Sequence, residues 1–88
     1  MLNEEKYRCR VCGLLYPEPP WGEDGKSPSF DICECCGAEW GYEDCTIKGI
    51  RTYRERWIAE GAKWFEPKAK PEGWKLEEQL KMIPEEYL

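Results

Sequence analysis

The chain has 88 residues, six of them cysteine, and a formal net charge of −5. An apolar core alone would stabilise a domain of this length by only about 3–5 kcal/mol, so a metal or another cross-link is expected. The acidic balance argues against nucleic acid or an anionic membrane as a partner. The sequence contains no histidine, which excludes Ser-His-Asp and Cys-His catalytic sites and histidine-ligated metals.

The first eight residues contain no apolar segment typical of a signal peptide, and no stretch reaches transmembrane length. These features predict a cytoplasmic protein. In that compartment, cysteines spaced in pairs more often bind a metal than form disulfides. A secreted domain held together by disulfides is the alternative, and it predicts neither a metal nor free thiols.

Residues 1–46 contain all six cysteines and predict short β-strands and tight turns. Residues 7–11 predict a strand that enters the first cysteine pair, and residues 14–16 predict a strand that leaves it. Residues 17–28 are rich in proline and glycine and predict a long loop without a helix. Residues 30–32 predict an extended segment that leads into the second cysteine pair.

Two cysteine pairs have the spacing of metal-binding knuckles. Knuckle 1 (residues 9–13) reads Cys-Arg-Val-Cys-Gly, and knuckle 2 (residues 33–37) reads Cys-Glu-Cys-Cys-Gly. Two thiols three positions apart can point at one spot, and the following glycine permits the left-handed backbone of a tight turn. Two such turns supply four ligands to a tetrahedral metal, and all-thiolate coordination suits zinc or a single iron. The predicted metal ligands are Cys9, Cys12, Cys33 and Cys36.

Two cysteines remain outside this set. Cys35 is an alternative to Cys36 as the fourth ligand, although its distance in sequence from Cys33 is not that of a knuckle. Cys35 and Cys45 could instead form a redox pair or a disulfide. The interpretation we favour is that both are small buried apolar residues, because no histidine is present to lower a thiol pKa.

An acidic segment follows each knuckle. Trp-Gly-Glu-Asp begins at Trp21 and Trp-Gly-Tyr-Glu-Asp begins at Trp40, which indicates two similar structural solutions around one metal. Acidic residues beside glycines ordinarily form solvated turns, and a calcium loop would need more oxygen ligands than either segment offers. We therefore predict no catalytic role for the four carboxylates, which belong to Glu23, Asp24, Glu43 and Asp44.

From Thr46 the pattern changes to that of amphipathic helices. Apolar residues at three- and four-residue steps indicate a first helix that ends near Gly61; they are Ile50, Tyr53, Trp57 and Ile58. A second apolar stripe, interrupted by Pro84, consists of Leu76, Leu80, Ile83 and Tyr87. Neither helix would be stable alone, so we expect both to pack on each other or on the metal module, with tryptophans in the core.

The first helix also carries a basic run, which consists of Lys48, Arg51, Arg54 and Arg56. Arg51 with Glu55, and Arg56 with Glu60, are four residues apart, as is typical of a solvated helix face. We therefore predict no nucleic-acid binding. A surface that docks an acidic protein partner is the favoured interpretation.

Knuckle 1 continues as Leu-Leu-Tyr16 and resembles the first knuckle of rubredoxins, including the tyrosine after the glycine. Asp24-Gly25, Pro28 and Phe30 resemble the rubredoxin loop, and knuckle 2 followed by Ala38 resembles the second rubredoxin knuckle. Rubredoxins hold one iron on four cysteine sulfurs and carry single electrons, so the resemblance implies a redox site at the four predicted ligands. Residues 32–40, with Glu43 and Asp44, also resemble small bacterial proteins named for a Cys-Pro-Cys-Cys motif.

Together these patterns predict a small α+β fold. A rubredoxin-like, zinc-ribbon type module with short β-strands and a four-cysteine metal site would occupy residues 1–46, and two short α-helices in residues 47–88 would pack on it as one compact unit. The expected function is non-enzymatic, with a structural zinc and a helical face that binds another protein. The alternative is a one-electron carrier with iron in the same site. A monomer and a homodimer both remain open, and no membrane partner is expected.

Overall fold

The structure is a computed structural model that describes residues 4–88, so residues 1–3 of the predicted metal module lie outside the described residues. Two α-helices are present in this range, α1 (Ile47–Ala59) and α2 (Leu76–Leu80). Short 3₁₀ turns occupy Glu4–Tyr7, Pro67–Ala69 and Glu85–Tyr87. Within the same residues, neither helix has the length and apolar character that crossing a membrane requires.

The predicted β-strands are wrong, and the α+β fold class is wrong with them, because residues 4–88 contain no β-strand and therefore no sheet. A single antiparallel bridge closes each knuckle instead, Arg8 with Leu15 and Ile32 with Glu39. Pairing stops after one residue pair because the chain is not extended in the segment before each bridge. A 3₁₀ turn precedes the first bridge, and Phe30 has a φ of 63° shortly before the second.

Helix α1 begins and ends where local chemistry predicts. The Thr46 hydroxyl accepts a hydrogen bond from Gly49 N at 3.0 Å, which caps the first turn. Gly61 has a φ of 103°, which terminates the helix as predicted. The face that points inward carries Ile50 and Trp57, both buried. The helix is therefore held by its apolar stripe and its cap.

Helix α2 is shorter than the predicted second helix. It ends at Leu80, so Ile83 lies beyond it and Tyr87 lies in a separate 3₁₀ turn. Pro84 explains the break, since proline lacks an N–H and disfavours the helical conformation in the residue before it. Ile83 is nevertheless buried, so this segment contributes to packing without being helical.

The buried cluster is built around the cysteines. Five of them belong to it, and residues from α1 and from the segment after α1 complete it. Trp57 and Trp64 are buried in this cluster, and Trp74 packs against it half-buried, as expected of core tryptophans. The division of the chain into a metal module at residues 1–46 and a helical part at 47–88 stays a prediction.

Candidate metal centre

The two knuckles bring the four predicted ligands together. The sulfur atoms of Cys9, Cys12, Cys33 and Cys36 all lie within 4.8 Å of one another. The first three residues are fully buried, and Cys36 is 4% exposed. A group of four buried thiols that share one point could hold a metal ion, and their assignment as its ligands stays a prediction.

The spacing of these sulfur atoms fits a tetrahedral ion. Cys9 Sγ lies 3.7 Å from Cys36 Sγ, and Cys12 Sγ lies 3.6 Å from Cys33 Sγ. A tetrahedron with metal–sulfur bonds of about 2.3 Å has edges of about 3.8 Å, which is close to both distances. Each close pair joins one sulfur of knuckle 1 to one sulfur of knuckle 2. An ion at the centre would therefore cross-link two segments that are far apart in sequence.

The two knuckles have the same backbone hydrogen bonds. In knuckle 1, Cys9 N donates to Leu14 O and Gly13 N donates to Cys9 O, both at 2.9 Å. In knuckle 2 the equivalent bonds, also at 2.9 Å, run from Cys33 N to Ala38 O and from Gly37 N to Cys33 O. The glycines have φ values of 86° and 79°, which favour glycine in both turns. The knuckles are thus two copies of one local structure that face each other.

Two aromatic residues link the copies by crossed hydrogen bonds. The Tyr16 hydroxyl, after knuckle 1, donates to Cys33 Sγ at 3.1 Å, and Trp40 Nε1, after knuckle 2, donates to Cys9 Sγ at 3.4 Å. The two rings meet edge to face with centroids 4.8 Å apart. Because Tyr16 and Trp40 hold equivalent positions, the structural counterpart of Trp40 is Tyr16 and not Trp21. The repeat of acidic segments seen in the sequence therefore misaligns the two halves.

The C-terminal half supplies donors to the carbonyl groups of knuckle 1. Arg54 Nε donates to Val11 O at 2.6 Å, and Arg54 Nη2 donates to Arg10 O at 2.9 Å. Gln79 Nε2 donates to Cys12 O at 3.2 Å. The three successive carbonyls of residues 10–12 thus each have a donor, as buried polar groups require.

The equivalent carbonyl groups of knuckle 2 are satisfied by different residues. Glu66 N donates to Glu34 O at 2.9 Å, and Phe65 N donates to Cys35 O at 3.0 Å. The Tyr53 hydroxyl donates to Cys36 O at 3.0 Å. The neighbouring residues Tyr53 and Arg54 thus connect α1 to both knuckles. Arg54 belongs to the basic run that the sequence pattern placed on a solvated helix face, and that prediction is wrong for this residue because its guanidinium is half-buried against knuckle 1.

The fifth buried cysteine sits beside the cluster. Cys35 is fully buried and occupies the position that Val11 has in knuckle 1. Its sulfur accepts a hydrogen bond from Gln79 Nε2 at 3.2 Å, and Trp74 Nε1 in turn donates to Gln79 Oε1 at 2.6 Å. Cys45 is exposed, which corrects the expectation that both outlying cysteines are buried. Both thiols are free, so the structure contains no disulfide between them.

The acidic segments differ from the prediction at one residue. Asp24 accepts from Lys26 N at 2.8 Å and from Ser27 Oγ at 3.0 Å, as in an ordinary exposed turn. Asp44 is instead fully buried and accepts from Trp21 Nε1 at 2.8 Å and from Gly41 N at 2.7 Å. Burial raises the Asp44 pKa. Through these two hydrogen bonds, Asp44 joins the proline-rich loop (residues 17–28) to the chain after knuckle 2.

The electrostatics of the cluster favour a cation at its centre. Burial raises the pKa of the Cys12 and Cys36 thiols, whereas hydrogen bonds from the neighbouring thiols lower the pKa of Cys33. Burial and the charge of Cys33 raise the pKa of Tyr16, which keeps its hydroxyl a donor. Four adjacent thiolates would repel one another strongly in a buried site. A metal cation at the centre would offset this repulsion, so the four sulfur ligands fit a divalent ion.

Two proteins of Bacillus subtilis (strain 168) are similar to the chain. YozI, an uncharacterized protein, is 34% identical over an alignment of 82 residues, and the match covers 75% of this chain and 68% of YozI. YoaQ, also an uncharacterized protein, is 34% identical over an alignment of 86 residues, and the match covers 78% of this chain and 71% of YoaQ. No protein-family model matches the chain, and no solved structure matches it significantly. Membership of the rubredoxins or zinc ribbons is therefore not shown.

Proposed function

The chain belongs to the family of Bacillus subtilis YozI and YoaQ, and we propose that it is a non-enzymatic protein with a structural zinc ion on four cysteines. The observation that carries the proposal is the set of four buried sulfur atoms at tetrahedral spacing, within 4.8 Å of one another. Zinc on four thiolates supplies no open coordination position, so its role is to hold the chain. Because thiolate ligands must stay reduced, the proposal includes a cytoplasmic location.

The burial of the ligands supports a structural role over a catalytic one. A catalytic zinc binds three protein ligands and leaves a position for water or substrate. Here four protein sulfurs already converge, and the most exposed of the four residues, Cys36, is only 4% exposed. The sequence also offers no histidine as a ligand or a base. These observations favour an ion that fixes the two knuckles relative to each other.

The chain's own residues would hold and orient this ion. Cys9, Cys12, Cys33 and Cys36 would bind it, and Tyr16 and Trp40 would fix the orientation of two of the sulfurs through their crossed hydrogen bonds. Such outer contacts orient ligands and tune metal affinity. The donors from α1 and α2 to the knuckle carbonyls would in turn couple the C-terminal half to the occupied site.

The second candidate is a one-electron carrier with iron in the same site. The hydrogen bonds from Tyr16 and Trp40 to sulfur favour it, because such bonds adjust the reduction potential of an iron–thiolate centre. The protein's part would be to hold the sulfurs in one geometry in both oxidation states. A single iron on four thiolates would supply the electron chemistry.

We propose in addition that a face of α1 binds an acidic protein partner. A groove of about 410 Å³ runs beside α1, and its lining includes Lys48 and Arg56 with one carboxylate, Glu43. Tyr42, which also lines it, is 75% exposed and offers an aromatic contact. Basic and aromatic residues together are typical of surfaces that bind acidic segments.

The decisive experiment is elemental analysis with an absorption spectrum, on untagged protein from low-level expression without added metal. One equivalent of zinc and no colour supports the structural proposal. One equivalent of iron, with sulfur-to-iron absorption that bleaches on reduction, supports the electron carrier instead. A Cys36→Ser variant is the control, since metal held at the predicted site should be lost from it. Protein without any metal would overturn both candidates.

The partner proposal is tested separately with the metal-loaded chain. A Lys48→Glu/Arg56→Glu variant should lose a captured partner that the wild type retains at low salt. The control is Lys68→Glu/Lys81→Glu, which changes the net charge equally at two exposed residues outside the groove. Equal loss from both variants would show that only the net charge matters, and it would refute a specific surface on α1.

A further inference from the structure

Arg54 is a cation placed against the metal centre without a carboxylate partner. Its three hydrogen bonds go to backbone carbonyls, at 2.6 Å to Val11 O, 2.9 Å to Arg10 O and 2.6 Å to Tyr87 O. Within residues 4–88 it forms no ion pair with a carboxylate. A guanidinium that is half withdrawn from water ordinarily requires a negative group nearby.

The negative charge nearest to this guanidinium would be that of metal-bound cysteine sulfurs. Burial lowers the Arg54 pKa, and negative charge on the sulfurs of Cys9, Cys12 and Cys36 opposes that shift. Two of its carbonyl acceptors, Arg10 O and Val11 O, lie between Cys9 and Cys12 in the same turn. The guanidinium is therefore anchored to the turn that presents two of the predicted ligands.

The charge of an occupied site depends on the ion. Four thiolates with a divalent ion carry −2, and four thiolates with a trivalent ion carry −1. A fixed positive charge outside the ligand shell stabilises the first state about twice as much as the second, because the interaction energy is proportional to the charge. A hydrogen-bond donor to the knuckle carbonyls, by contrast, stabilises both states equally.

We propose that Arg54 is the internal countercharge of the metal centre and favours the divalent over the trivalent ion. This inference rests on the proposed metal site and deepens it, since it names a residue outside the ligand set that influences which ion is held. Arg54 is a positioning residue in this scheme, because it acts through charge and through the turn and does not bind the ion. For iron, the same charge would favour the reduced form.

The test compares zinc and gallium, a redox-inert trivalent ion, by chelator competition in wild type and variants. In Arg54→Gln, zinc affinity should fall about tenfold more than gallium affinity, because the occupied sites differ by one charge and the empty site is the same for both ions. Arg54→Lys keeps the charge and should keep the wild-type ratio of the two affinities. Arg51→Gln is the matched control, because Arg51 is an exposed arginine of α1 that donates to Leu88 O at 2.7 Å and forms no hydrogen bond to a knuckle within residues 4–88. It should change both affinities by less than about twofold.

The iron-loaded protein gives a second readout, measured at an electrode that supplies the electron. The midpoint potential should fall in Arg54→Gln and stay close to the wild-type value in Arg54→Lys and Arg51→Gln. If Arg54→Gln does not fold, Arg54→Met, which is also neutral, takes its place beside Arg54→Lys. A lower potential and a lower zinc-to-gallium affinity ratio in the neutral variant, with both preserved in Arg54→Lys, support a role for charge, whereas wild-type values in the neutral variant refute it.

Two results would overturn the inference in different ways. Equal losses of zinc and gallium affinity in Arg54→Gln would show that the residue acts only as a hydrogen-bond donor to knuckle 1. That result would leave the proposed metal site intact. A wild-type chain that binds neither zinc nor iron would overturn the proposed function and this inference together.

Discussion

The two knuckle glycines provide a matched pair for measuring how closely the C-terminal segment packs on the metal centre. Gly13 and Gly37 have φ values of 86° and 79° and make equivalent backbone hydrogen bonds. The left-handed conformation therefore costs alanine a similar amount at either position, about 1–2 kcal/mol. Any difference between Gly13→Ala and Gly37→Ala must come from the surroundings of the added methyl group.

Those surroundings differ. A Cβ on Gly13 would lie 3.0 Å from Gln79 O, 3.0 Å from Ile83 N and 3.1 Å from the Ile83 side chain. Two of these atoms are backbone, and moving them would disturb the Gln79 amide that bonds to Cys12 O. Overpacking of this kind adds about 1–3 kcal/mol, so Gly13→Ala should destabilise the protein by about 2–5 kcal/mol in total.

A Cβ on Gly37 would meet only side-chain atoms at close range, 3.2 Å from Phe65 Cδ1 and 3.3 Å from the Tyr53 hydroxyl. Phe65 is 60% exposed, so its ring can move into solvent. Gly37→Ala should therefore cost about 1–2 kcal/mol, which is mainly the backbone term.

The measurement is denaturant unfolding of the metal-loaded protein at one fixed concentration of free metal, because the bound ion contributes to the measured stability. Gly37→Ala/Phe65→Ala, compared with Phe65→Ala, removes the contact with the Phe65 ring and leaves the backbone cost together with the contact to the Tyr53 hydroxyl. Equal destabilisation by the two single alanines, or a larger effect at Gly37, would refute the close packing of the 79–83 segment on knuckle 1.

Three further outcomes are expected. Cys35→Val introduces the residue that knuckle 1 has at the equivalent position, so this variant should retain one equivalent of metal in elemental analysis. Cys36→Ala should lose the metal. The reverse pattern would make Cys35 the fourth ligand. Tyr53→Phe should cost about 1–2 kcal/mol in denaturant unfolding, since Cys36 O loses its donor. Burial raises the Tyr53 pKa from 10.0 to about 12. The protonated hydroxyl therefore contributes fully to the free energy of unfolding below pH 10, and this contribution is lost as the pH rises to about 12. The free energy of unfolding of Tyr53→Phe should therefore fall less than that of the wild type between pH 9 and about 12. The same pH dependence in both proteins would contradict a raised pKa at Tyr53. Chelation of the metal should lower the melting temperature sharply, because about 10 kcal/mol of binding free energy is coupled to folding; a chelated protein that melts like the loaded one would exclude a structural ion.

Local sequence determined the features that depend on only a few neighbouring residues. The cysteine spacing and the two glycines specify turns that aim two sulfurs at one point, and the structure shows the four sulfurs together. The Thr46 cap, the apolar stripe and Gly61 likewise specify α1. These features were predictable because turn and helix chemistry acts over three or four residues.

The strands were not predictable in this way. Alternating residues on both sides of knuckle 1 suggest pairing, yet only Arg8 and Leu15 form a bridge. A β-strand must pair with a second strand over several residues, and the turns that precede the two bridges prevent that pairing here. The resemblance to rubredoxins implied a fold with short strands, and that expectation failed for the same reason.

The amino-acid sequence by itself determined which thiols can share an ion and where α1 begins and ends. Only the tertiary structure decided what surrounds that ion: the crossed bonds of Tyr16 and Trp40, the burial of Asp44, and the place of Arg54 against knuckle 1. Each of these depends on the distance between segments that are remote in sequence. Arg54 and Arg51 look alike in the helical pattern, and only packing withdraws one of them from water and leaves the other exposed.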